Sequence, residues 1–495
     1  MKEYDVVVIG CGNGGIGAAL ALAAQGKKPL VLEQHNLPGG MATSFVRGRF
    51  EFDASIHALF YDLIFRNTWE KFGITEEFVK TPDNFTFGYA DEEGNKVLKT
   101  YPLGMQDFMK AFAADYPECV GKMQELLGYC GEIATAGRYK DDPEALAKNC
   151  PHYEELMGKT AQQVLDDMEC PMEIQSIVNQ FWWYLGPSME DFPFFRFANV
   201  ILPFITQVTY YPKHTCHGYL AEFEKMIRTM GGDIWFNTKA TEIVVENNKV
   251  TGVKTSQGDV IKTNHVICNC SPRIVLEEMV AKTDTTEELL NQQKDIHENF
   301  SFSIVYLGLN KSCEELGIKS HHIFLEETND SEKTYAASGT FDGPYNLGLL
   351  CPNVSIPDYS PEGTAILSIS VPMQGFALDG LTQKEYFKAK QRFANQAVEA
   401  TGNLLNIDLK EYIEEIVIAT PATLARYANA RNGVLGYAIR HDDLGKMAEA
   451  TARLNDNAIE GLSYVGQFTT GVGYQNNVIA MGVAGKVAAS MKGEN

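Results

Sequence analysis

The segment Gly10-Cys11-Gly12-Asn13-Gly14-Gly15 constrains this chain more than any other. It comes after Tyr4 to Ile9, a β-branched run that reads as a strand buried on both faces of a parallel sheet. It opens a stretch from about Asn13 to Gln25 whose alanines let a helix lie close on that sheet, with Gly26 as the stop. Pro29 to Glu33 supplies the second strand of a β-α-β unit, and its acidic end completes a dinucleotide half-site. Gly10 permits the tight turn, Gly12 lets backbone approach a pyrophosphate, and Gly15 lets helix and strand pack. Asn13 and Gly14 stand at the helix start, where free N–H groups meet phosphate oxygens, and Glu33 is placed to accept from a ribose. The alternative is a glycine turn with no ligand.

The segment beyond Glu33 narrows the dinucleotide. Pro38-Gly39-Gly40-Met41-Ala42-Thr43 resembles the second phosphate and ribityl contact of FAD-binding oxidoreductases of the phytoene desaturase and amine oxidase type. Arg49 to His57 resembles the same families' segment beside the flavin ring. Near the other end, Gly461 to Gln467 and Gly471 to Val478 resemble their C-terminal flavin segment, in which Gly466, Gln467, Asn477 and Val478 take the contact positions. Gln467 stands where aspartate is usual, and an amide still bonds ribityl hydroxyls. Ala240, heading the strand-like run 241–246, joins this group. The middle of the chain and the block Thr420 to Tyr427 extend the resemblance over most of the sequence. Met41 replaces the arginine common in amine oxidases, and no cysteine lies beyond Cys351, so the implied FAD is non-covalent. Ile56-His57 is closer to the retinol saturase and carotenoid isomerase branch.

A chain of 495 residues exceeds what one core usually organises. Residues from about 100 to 200 carry helical periodicity, and 300–372 hold several strand-like runs. The expected fold is α/β: a discontinuous Rossmann-like FAD domain from 1–85, 212–275 and 415–495, with an inserted α+β substrate domain, including a helical region, from 86–211 and 276–414. A net charge of −22 argues against nucleic acid as a partner. No basic leader precedes the first strand and no run of 18 apolar residues occurs, which predicts a cytoplasmic protein. The ten cysteines have no C-x-x-C spacing and read as structural thiols, and no metal site is expected.

Three residues are candidates for catalysis. The resemblance implies that His57 falls beside the flavin, His217 belongs to the loop His214 to Gly218 near the expected substrate cavity, and Tyr211 precedes that loop. Each has the plainer alternative of packing at a domain interface. The aromatics Phe181 to Tyr184 and Phe192 to Tyr211 read as core, as the wall of an apolar channel, or as a surface for peripheral membrane contact. The resemblance implies desaturation, saturation or isomerisation at a carbon–carbon double bond of a small apolar or amphipathic substrate, polyene-like or fatty-acid-like. The alternative is amine oxidation. No second glycine fingerprint is present, so an external electron donor or acceptor, or a redox-neutral isomerisation, is expected.

Overall fold

The computed structural model describes residues 2–55, 59, 62–91, 93–469 and 475–491. The run Val6–Ile9 is the middle strand of a five-stranded sheet ordered Asp233–Trp235, Pro29–Leu32, Val6–Ile9, Val266–Cys268, Leu462–Tyr464, with every pairing parallel. Val6–Ile9 and Pro29–Leu32 are buried throughout, as strands covered on both faces must be. Val6 and Val8 face the helices Asn13–Ala24, Thr215–Thr229 and Gln475–Ser490. Val7 and Ile9 face Ile243, Val253 and Ile261 of a four-stranded sheet. In that sheet Ala240–Glu246 and Lys249–Thr255 form a hairpin. Its turn residues Asn247 and Asn248 both have positive φ, the conformation that matches strand twist.

The first and last helices touch at backbone distance. A Cβ on Gly17 would stand 2.3 Å from the Asn477 carbonyl oxygen, so this crossing requires glycine. Ala480, Ala484 and Ala488, spaced four apart, bury the facing stripe.

The second large sheet has seven strands, in the order Ile413–Ala419, Ser301–Leu309, Ala365–Met373, Asn346–Leu350, His322–Glu326, Asn84–Ala90, Lys96–Pro102. All neighbours are antiparallel except His322–Glu326 beside Asn84–Ala90. The expected boundaries at 85/86 and 414/415 fall inside Asn84–Ala90 and Ile413–Ala419, so the sheet takes residues from just outside each inserted segment. One face packs on the long helix Gln383–Leu405. The other meets the helical region, chiefly Met105–Asp115, Val120–Ala136 and Phe194–Thr206. Phe181, Trp182, Phe192, Phe194, Phe197 and Tyr211 are buried there, so these aromatics are interior. Among the described residues no helix is long and apolar enough to cross a membrane, and no cluster of three His, Cys, Asp or Glu side chains could hold a metal. The ten cysteines are free thiols.

Candidate active site

A cavity of about 410 Å³ lies where the two large sheets meet. Of the expected cofactor contacts, Gly10, Gly12, Asn13, Gly14, Glu33, Gly39, Gly40, Met41, Ala240 and Gln467 line it. The two glycine segments are joined: Gly39 N–H donates to the Cys11 carbonyl at 2.8 Å, and a Cβ on Gly40 would reach within 3.4 Å of Gly12 Cα. Gly10 and Gly39 have φ of 94° and 109°, where a side chain is strained. Gly12 caps the helix Asn13–Ala24 without a side chain, leaving its N-terminus open toward the cavity.

Glu33 is buried at one end of the cavity. Its Oε2 accepts from Cys11 N–H at 2.7 Å and its Oε1 from His35 N–H at 2.8 Å. Burial pushes its carboxyl above the usual range, and the two backbone donors pull it back. Each oxygen keeps a second acceptor site for a ribose hydroxyl.

Asn269, just past strand Val266–Cys268, carries no sequence signature of a site residue. Its amide oxygen accepts from Gly12 and Gly15 N–H at 3.3 and 3.2 Å, in the orientation that satisfies both. Its side chain also fills the space against Gly466, where a Cβ would meet it at 2.4 Å. One amide therefore links the amino-terminal loop to the carboxy-terminal segment.

The remaining expected contacts lie behind the cavity wall. A Cβ on Gly15 would sit 1.9 Å from the Gly10 carbonyl oxygen, so this glycine serves helix–strand packing. Asn477 is buried: its Oδ1 accepts from Trp69 Nε1 at 2.9 Å and its Nδ2 donates to the Asn13 carbonyl at 3.2 Å. Val478 packs beside it. The Asn13 side chain accepts from the Tyr219 hydroxyl at 2.9 Å, so Asn13 reaches the cavity while Asn477 supports it.

The candidates for catalysis separate as well. His57 and residues 470–474 lie outside the described residues. Tyr211 does not line the cavity, because its hydroxyl donates to buried Asp53 at 2.6 Å. Asp53 also accepts from Tyr359 and Ser44 hydroxyls and from Cys216 N–H. That last bond lies at the start of the helix Thr215–Thr229, which takes in most of the stretch His214 to Gly218 expected as a loop. His217 thereby sits in a first helical turn, outside the cavity lining, with Nδ1 3.6 Å from Glu51. The Glu51 partner raises the His217 pKa. His214 pairs with Glu76 instead.

The other end of the cavity is apolar, walled by Trp183, Tyr184, Phe302, Leu435 and Phe468. The hydroxyl of Tyr184 is buried and has no hydrogen-bond partner among the described residues. Burial holds it protonated.

Known proteins are similar to this chain in sequence and in fold. The chain is 24% identical over 490 residues to the chloroplastic prolycopene isomerase of Daucus carota, covering 94% of this chain and 76% of that one. It is 21% identical over 512 residues to the all-trans-retinol 13,14-reductase of Danio rerio, covering 94% and 82%. Its fold superposes on an oxidoreductase from Methanosarcina mazei with a TM-score of 0.65 and 15% identity, over 99% and 100% of the two chains. The model of flavin-containing amine oxidoreductases matches residues 14–391. The chain belongs to this family and is an FAD-dependent enzyme.

Proposed function

We propose that this enzyme acts on a carbon–carbon double bond of a mostly apolar substrate, polyene-like or resembling an unsaturated fatty acid, by desaturation, saturation or isomerisation. The observation that carries the reading is one continuous cavity, glycine-lined and helix-capped at one end, aromatic-walled at the other. Bound flavin supplies hydride exchange with carbon. Glu33, the two glycine segments and Gln467 would hold the cofactor through ribose, phosphate and ribityl contacts. Trp183, Phe302 and Phe468 exclude water from the reacting end. Tyr184, whose buried hydroxyl is held protonated, donates a hydrogen bond or holds a proton there.

The isomerase and reductase among its relatives support a double bond as the target. Electrons that a net reduction or oxidation needs would come from or go to a separate partner. Peripheral membrane contact, from which so apolar a substrate would be drawn, is supported by exposed Phe376, Leu381 and Phe387. The test is incubation of FAD-loaded protein with polyenes and unsaturated fatty acids, monitoring the flavin spectrum and the product isomers. A changed double bond is expected. Hydrogen peroxide released from amines under air, with every polyene unchanged, would overturn the reading in favour of amine oxidation.

A further inference from the structure

Behind the aromatic wall lies a closed circuit of buried polar side chains that the cavity does not use. Glu326 ends one strand of the seven-stranded sheet and pairs across with Asn346. Asn346 Nδ2 donates to Glu326 Oε1 at 2.6 Å and to the Gln180 carbonyl at 3.3 Å. Thr334 Oγ1 donates to Glu326 Oε1 at 3.4 Å, and Asn179 Nδ2 donates to Ser331 Oγ at 3.4 Å, on the same short helix as Thr334. Asn179 and Gln180 are neighbours in the chain, so the circuit closes. Glu326 Oε2, Asn346 Oδ1, Gln180 Oε1 and Asn179 Oδ1 are all buried with no hydrogen-bond partner among the described residues.

We infer that this circuit is a binding site for one monovalent alkali cation, with Glu326 as its charged ligand and the Asn346, Gln180 and Asn179 amide oxygens as neutral ones. Native interiors rarely leave so many acceptors unsatisfied together. A proton on Glu326, whose carboxyl burial pushes up to about 8, would join two of the four oxygens and leave the other two orphaned. Every orphaned group is a hard oxygen donor, the type that alkali and alkaline-earth cations take. A single carboxylate in the circuit balances one positive charge, and a divalent ion would leave its second charge uncompensated in a low-dielectric interior. The nearest further acid, Asp330, is already paired with Lys333 at 3.1 Å and caps its own helix. Asn179 and Gln180 share a short helix with Trp183 and Tyr184, so the ion would stiffen the wall of the active cavity.

Two measurements on FAD-loaded protein test this. Crystals soaked in thallium(I) or rubidium salts should show an anomalous peak in contact with Glu326 Oε2 and Asn346 Oδ1. Thermal unfolding should show a saturable rise of about 2 °C or more in potassium or sodium chloride over choline chloride at equal ionic strength. Glu326→Gln, nearly the same shape, should abolish the rise while keeping FAD. If that variant does not fold, the anomalous experiment on the wild type still decides. No anomalous peak, or equal melting in choline and alkali salts, would overturn the inference and leave ordered water as the occupant.

Discussion

The side-chain amide of Asn269 stands 2.5 Å from the point that a Cβ on Gly14 would occupy. It also accepts from the N–H groups on either side of that glycine, those of Gly12 and Gly15. A residue far downstream in the chain thus shapes the phosphate-facing loop. Asn269→Ala removes two hydrogen bonds from the loop and should weaken FAD binding about tenfold, at about 1 kcal/mol or less per bond. Flavin fluorescence titration measures it, and a wild-type Kd would show that the amide only fills space.

Gly12 and Gly15 belong to one motif but should fail differently. Gly12→Val places a branched side chain at the cavity surface and should give folded protein without flavin. Gly15→Ala meets the Gly10 carbonyl oxygen at 1.9 Å and should lower the melting temperature of the apoprotein too. Circular dichroism melts of the two apoproteins separate the cases. Equal melts would mean that Gly15 is not a packing glycine.

Proton transfer should depend on Tyr184 more than on His217. Tyr184→Phe should reduce turnover of the true substrate about 10²-fold or more with FAD retained, since it deletes a hydroxyl in the cavity wall. His217→Ala should change turnover less than about tenfold, a margin below what acid–base roles contribute. His57→Ala tests the flavin-side candidate: a loss of about 10²–10⁴-fold at matched FAD occupancy marks it as acid or base. Wild-type rates in Tyr184→Phe would remove that hydroxyl from the mechanism.

The pair His217–Glu51 predicts a pH dependence. Glu51 raises the His217 pKa, and His217 lowers that of Glu51. The folded state then holds the imidazole proton more tightly than the unfolded chain does. This contribution is full below about pH 6.5 and is lost as pH rises through the raised value. An NMR titration of His217 should move to lower pH in Glu51→Gln. An unchanged midpoint would mean that the 3.6 Å pair carries no coupling in solution.

The glycine spacing is legible in the sequence because each glycine answers a local steric demand. The strand before it, the helix after it and Glu33 rest on patterns a few residues long. Asn269 and Tyr184 escape because their partners come from distant segments, and neither carries a local signature. His217 is misplaced by sequence patterns for a related reason. Its helix starts where Asp53, far back in the chain, accepts the Cys216 N–H, and His214 provides no side-chain cap that could mark the start. Asn477 resembles a cofactor contact, since an amide at a helix start fits a ligand as well as it fits Trp69 and Asn13.

The five-stranded sheet draws its strands from residues 6–9, 29–32, 233–235, 266–268 and 462–464, which sets the order of events during synthesis. The loop at Gly10 to Gly15 leaves the ribosome well before its partner Asn269, and the strand and helix beyond residue 461 follow later still. At translation rates of about 5–20 residues per second, the first helix waits about 20–90 s for the helix that covers it. Flavin capture therefore waits until both halves of the site have been made, and the face of Asn13–Ala24 that Gln475–Ser490 covers stays open until that helix docks.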